Sequence, residues 1–227
     1  MERITEAFYW PTRDPEWVVK VLIVGLILIL PIVGAINALG WMLASLDRLR
    51  AGEERLAPAN FSYLGRGVRL FVVEVVYGLV ITLVAMAIYI PAIVLAVKQS
   101  EESSTNPGVI ALSVLLSFAA FSVATIGSLA LTFATPAIVL ATDTGGIPAG
   151  INIASVWRRC RSALTNTLIA GLMLIAASFI ASLGSAACLI GIFFTSAYAL
   201  AMQAWIVRSY ELGSSSAGAA QQSGRRS

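Results

Sequence analysis

Apolar residues in this chain do not alternate with polar ones at the period of a half-buried strand or a surface helix. They run in four nearly continuous blocks, at about residues 17–46, 70–97, 108–142 and 163–207. Each block exceeds the ~20 residues that cross ~30 Å of hydrocarbon, and the last is long enough to cross twice. The pattern predicts an all-α fold: a polytopic transmembrane helical bundle over residues 17–210, with about five spans near 17–46, 70–97, 108–135, 163–183 and 186–208. A polar segment, residues 1–16, precedes the bundle. The tail, residues 211–227, is small and polar without apolar periodicity and is expected to be disordered.

Prolines and glycines divide these blocks. Pro31 leaves about 14 residues on either side of it in the first block, and neither half spans alone. Two readings follow: a single tilted, proline-kinked span, or a re-entrant hairpin turning at residues 31–34. The first block is far longer than the apolar core of a secretion signal, so it reads as a retained membrane segment. Trp10, Trp17 and Trp41 suit anchoring at the membrane interface. Residues 56–62 read as a turn-like, interfacial stretch. Pro136 to Thr142 reads as a kinked or interfacial continuation of the third block, and residues 144–150, with three glycines and Pro148, predict a helix break. The last block is expected to fold as a helical hairpin turning near residues 183–185.

Composition enters through charge. Charged residues make up 12% of the chain, with mean hydropathy +0.86, against about 25% charged in soluble domains. The basic residues lie between the apolar blocks. Placing the 47–69 loop, the 143–162 loop and the C-terminal tail in the cytoplasm puts 11 basic residues there against 4 outside; a re-entrant first block makes the division 14 against 1. Both obey the positive-inside rule. A cytoplasmic (plasma) membrane location with a cytoplasmic C-terminus is expected, and the side of Met1 stays open. The net charge of +3 is thereby a topology signal and implies no nucleic acid partner.

Candidate chemistry is sparse. Histidine is absent, which removes the commonest metal ligand and general base. Cys160 and Cys188 fall at opposite ends of one predicted helix, so they read as packing residues rather than a disulfide. No zinc-type spacing, phosphate-cradling glycine loop or nucleophile–base set is present; no metal, no cofactor and no enzymatic activity are expected. The strongly polar side chains inside the blocks are Asn37, Glu74, Asn166 and Gln203, all on the arginine-rich side, and they form a candidate polar layer. Intramembrane ionisable residues are functional candidates by default. Glu74 reads either as the charge partner of a cation or protonatable solute, or as a headgroup-level ion pair with Arg66 or Arg69. Arg66, Arg69, Arg158, Arg159 and Arg161 are candidate contacts for lipid headgroups. Ser178, Ser182 and Ala186, spaced by four, make a small-residue face that serves either packing within the bundle or docking on another membrane subunit. The hexapeptide Pro-Ala-Ile-Val-Leu-Ala occurs at 91–96 and again at 136–141. It is too short, in a chain this rich in the same residues, to establish a duplication.

Trp17-Val-Val-Lys20 before the proline-broken run, Leu46-Asp-Arg-Leu-Arg50-Ala-Gly52-Glu, and Leu56-Ala-Pro58-Ala-Asn-Phe61-Ser-Tyr-Leu-Gly-Arg66-Gly67-Val-Arg69 carry a resemblance. Together they resemble an uncharacterised prokaryotic multi-pass membrane family, a domain of unknown function. Its first two membrane segments are joined by a leucine-proline, aromatic, Arg/Lys-Gly linker. Ala57 separates the leucine from the proline here. The likeness is strongest over residues 4–95; it implies an α-helical membrane bundle and no activity, cofactor or catalytic residue. The expected role is structural or accessory, with lipid and another membrane protein or a second copy as partners. The alternative is a component of a small-solute or ion transporter that uses the Glu74 layer.

Overall fold

In a computed structural model, residues 3–101, 106–187 and 191–223 are described, and no strand occurs among them. Two short 3-10 turns, Ile4–Phe8 and Trp10–Arg13, lead into seven helices: α1 (Trp17–Leu28), α2 (Val33–Arg50), α3 (Leu64–Glu101), α4 (Pro107–Ile151), α5 (Ile153–Ser162), α6 (Leu164–Ala187) and α7 (Gly191–Ser223). The α3, α4 and α6 helices combine the length and apolarity of a membrane span. In α7, Tyr198, Gln203 and Arg208 dilute an otherwise apolar run. The chain divides into a larger unit, Met1–Val73 with Thr132–Ser227, and a smaller one, Glu74–Leu131.

In the larger unit the first apolar block is a hairpin. The twelve residues of α1 rise only about 18 Å, short of a bilayer. The proline ring disfavours helix at Leu30, and the chain reverses through a γ-turn in which the Val33 amide donates to the Pro31 carbonyl at 2.6 Å. Ile32 sits at φ 62°, ψ −63°, a strained conformation for a β-branched residue. Gly34 permits the return, because a Cβ there would lie 2.1 Å from the Ile27 carbonyl oxygen. Lys20 near the start of α1 and Arg48 near the end of α2 both donate to the Leu56 carbonyl, at 3.3 and 2.7 Å. The two helices therefore run antiparallel, and α2 stops in a glycine cap. Gly52 takes φ 82° and its amide donates to Leu49, while the Glu53 amide donates to Arg48.

Trp10 and Trp41, expected at the interface, are instead fully buried. Each indole N–H finds a backbone carbonyl, Ala201 at 3.1 Å and Ala57 at 2.9 Å, which is what lets a tryptophan enter a core. The stretch from Pro136 to Thr142, expected as a kinked or interfacial continuation, stays helical and is buried throughout. Past it, Gly146 is non-helical (φ 71°, ψ −167°) and separates two helical stretches of α4, the second resuming to Ile151, so the helix break expected over residues 144–150 falls at this glycine. The α6 and α7 helices pack at a glycine contact: Gly184 and Gly191 approach so closely that a Cβ on Gly184 would meet the Gly191 carbonyl oxygen at 2.5 Å. Thr195 Oγ1 reinforces it by donating to Ala181. Beyond Leu212, α7 continues to Ser223 through part of the tail expected to be disordered. Its last bundle-facing turn is held by buried Tyr210 and by Glu211.

The smaller unit consists of the adjoining parts of α3 and α4. Gly127 packs against Ile81, and a shallow groove of about 490 Å³ between the helices is lined largely by small residues such as Gly78, Ala85, Ala120 and Ala124. Large apolar side chains point outward, among them Leu83, Ile90, Phe118 and Phe121.

Candidate functional site

The polar chemistry of the larger unit gathers at one end, in two connected arrangements. The first is a latch formed by residues 56–60, which are neither helix nor strand, so their buried backbone groups need side-chain partners. The Leu56 amide donates to Asp14 Oδ2 at 2.9 Å. The Ala57 amide donates to Ser45 Oγ at 3.1 Å. Tyr63 Oη donates to the Pro58 carbonyl and Asn37 Nδ2 to the Asn60 carbonyl, at 2.9 and 2.8 Å. Asn37 Oδ1 then accepts the Tyr63 amide at 3.3 Å. Asp14 also pairs with Lys20 at 2.7 Å. Burial opposes ionisation of Asp14, but the Lys20 ammonium and the Glu16 and Leu56 amides outweigh it and hold the carboxyl below its ordinary range.

Just past the latch, α3 crosses α2. A Cβ on Gly67 would fall 1.7 Å from the Ile36 carbonyl oxygen and 2.8 Å from the Gly40 nitrogen. The Arg-Gly pair of the linker motif thus has a physical reading. Glycine lets the helices touch backbone to backbone, and the arginine one residue earlier enters the second arrangement.

That arrangement is a charged knot joining four helices. Asp143 on α4, its side chain 8% exposed, receives Arg50 of α2 and Arg66 of α3, each at 2.6 Å. Arg66 also pairs with Asp47 of α2. Arg50 reaches Glu211 of α7 through two nitrogens, at 2.9 and 3.1 Å, and Arg208 meets the same carboxylate at 2.7 Å. Burial disfavours the Glu211 carboxylate, yet its hydrogen bonds to Arg50 and Arg208 prevail and lower its pKa. Three arginines and three carboxylates neutralise one another, which is the condition for keeping such charges partly buried. A cavity of about 430 Å³ opens beside the knot, lined by Arg66, Arg69, Thr142 and Asp143 among others.

The four candidates for a polar layer occupy different settings. Asn37 is buried and belongs to the latch. Asn166 and Gln203 are half-buried and no hydrogen bond joins either to Asn37 among the described residues. Glu74, half-buried on α3, opens the smaller unit and has no ion pair or hydrogen bond among the described residues, while Arg66 is committed to Asp47 and Asp143. Of the headgroup candidates, Arg69, Arg158 and Arg161 are exposed and Arg159 half-exposed. Ser178 and Ser182 lie on the outward side of α6 and donate to carbonyls of their own helix; the side chain of Ala186, and Cys188, lie outside the described residues. Cys160 is a buried free thiol.

Asp47, Arg50, Asp143 and Glu211 were not singled out by sequence reasoning. A signal existed: each carboxylate stands at the end of an apolar block, where a charge either faces water or finds an opposite charge on a neighbouring helix end.

Three helices with the length and apolarity of a membrane span fit an α-helical membrane protein. The model of a family of proteins of unknown function, DUF4013, matches residues 23–190, and the chain belongs to that family. The match runs from within α1 through α6, well past the linker motif. No curated protein and no solved structure matches.

Proposed function

We propose that this protein is a non-enzymatic structural or accessory component of the cytoplasmic membrane, in which the larger unit is the anchor and the smaller unit is offered to another membrane protein. One observation carries the reading. The most apolar stretches of α3 and α4 are only 6% and 11% buried, against 33% for α6. Two long helices with so little covering from their own chain have most of their surface left for lipid or a partner. The exposed face of α6 with Ser178 and Ser182 adds a second region where small side chains permit close helix approach. Of the 15 basic residues, Lys98 alone falls in residues 74–131. The positive-inside rule then favours a cytoplasmic setting for the charged end of the larger unit. Through Arg3, Arg13 and Glu211 that end takes in both the N-terminal segment and the end of α7.

The test is purification in a gentle detergent with identification of stoichiometric companions, repeated with Ser182→Leu and Gly78→Leu. A stoichiometric membrane protein lost on either substitution supports the reading; a lone monomer sinks it. A second reading, a component of a small-solute or ion carrier, rests on Glu74, an intramembrane carboxylate without a partner among the described residues. It predicts flux in proteoliposomes that Glu74→Gln abolishes, whereas the accessory reading predicts normal assembly of that variant.

A further inference from the structure

Sorting the arginines by partner separates two populations. Arg3, Arg13, Arg48, Arg50, Arg66 and Arg208 each pair with a carboxylate. Arg55, Arg69, Arg158, Arg159 and Arg161 have no such partner among the described residues. Three of these five stand on one ten-residue helix, α5, which joins α4 to α6. Asn152 caps it by accepting the Ser155 amide at 3.0 Å. Val156 and Cys160, one turn apart, are buried against the bundle. Ile153 and Trp157, also one turn apart, are 67% and 62% exposed.

On a helical wheel Ile153 and Trp157 adjoin the Val156–Cys160 stripe, so the apolar arc of α5 is wider than the part the bundle covers. Arg158 and Arg161 lie beyond this arc on one side and Arg159 on the other. Arg161 also sits over the Trp157 ring, 5.9 Å from its centre. Apolar side chains left open beside unspent guanidinium groups, on a short helix between two spans, match a membrane surface better than water or a protein core.

We propose that α5 lies in the plane of the membrane interface and binds anionic phospholipid. Ile153 and Trp157 enter the boundary between headgroups and acyl chains, and Arg158, Arg159 and Arg161 take lipid phosphates. Guanidinium geometry suits the ligand, because its parallel N–H donors engage two phosphate oxygens together. The site requires no protein partner, so it stands or falls separately from the accessory role.

The test uses the full-length protein in neutral-detergent micelles doped with photo-activatable phosphatidylglycerol or phosphatidylcholine at equal dose, with labelled peptides mapped by mass spectrometry. Phosphatidylglycerol should label the peptides covering residues 151–164 in preference to phosphatidylcholine, on the order of tenfold. R158Q/R159Q/R161Q should remove that preference, while K98Q keeps it. Equal labelling of wild-type protein by the two lipids overturns the proposal, and this arm needs no variant to fold. Retention of the preference by the triple variant overturns it as well. Competition by millimolar glycerol phosphate as effective as that by phosphatidylglycerol would assign the site to soluble phosphate and overturn the lipid assignment.

Discussion

The hexapeptide Pro-Ala-Ile-Val-Leu-Ala appears once in each unit, helical both times, yet its surroundings differ completely. At 136–141, in the larger unit, every residue is buried; at 91–96, in the smaller, Ala92 alone is. Ile138 is 2% exposed and Ile93 45%. Local sequence therefore decides that these residues form helix, and the neighbouring elements decide whether they are covered. In a soluble protein the exposed copy would be a liability. In hydrocarbon an isoleucine is equally at home against lipid or against protein, so hydrophobicity does not drive the copy inward. Close backbone approach and polar pairing hold the larger unit together.

The largest expected effect exploits glycine. Gly67→Leu should abolish recovery of a folded, monodisperse protein, because its Cβ position lies 1.7 Å from a backbone oxygen; Gly78→Leu should fold, since nothing lies within 4 Å of its Cβ position. Size-exclusion profiles of the two variants check the contrast, and equal recovery breaks it.

A carboxylate comparison comes next. Asp143→Asn leaves Arg50 and Arg66 short of an opposite charge and should lower the melting temperature by about 10 °C, from a loss of about 3 kcal/mol. Glu74→Gln should leave it within about 2 °C. Thermal scans in detergent decide; a larger loss from Glu74→Gln would mean that the smaller unit also rests on an ion pair.

A smaller effect is expected from pH. Asp14 and Glu211 titrate below their ordinary values of 3.8 and 4.5. Their stabilisation is complete above those values and is lost as pH falls from them toward the depressed values of the folded state. All five tryptophans lie in the larger unit, so their fluorescence follows that unit alone. Its melting temperature should hold steady down to about pH 5 and decline below about pH 4.5. A decline beginning near neutrality contradicts the assignment.

The division between what was readable in sequence and what was not follows the same physics. Long apolar blocks state their own identity, so the helical membrane class and the family resemblance came directly from the chain, and Pro31 marked the hairpin as one of two outcomes. Burial within the blocks was not readable, because lipid-facing and protein-facing positions share one vocabulary; the two copies of the hexapeptide are the proof. Trp10 and Trp41 misled for a related reason: an indole N–H satisfied by a carbonyl suits a core as well as a headgroup layer. Asn37 stood out as polar, but its partners, Asn60 and Tyr63, sit in a linker whose path no periodicity predicts. The knot of Asp143, Arg50, Arg66 and Glu211 joins residues up to 161 positions apart, beyond the reach of local pattern.

The most direct test of the contrast between units is the thermal stability of Ile138→Ala beside that of Ile93→Ala, the same substitution in the same hexapeptide. Ile138→Ala opens a cavity in a packed site and should cost about 2–4 kcal/mol, a fall of roughly 4–16 °C; Ile93→Ala should shift the midpoint by no more than about 2 °C. Equal losses at both positions would show that the smaller unit is as tightly covered as the larger and would contradict the account.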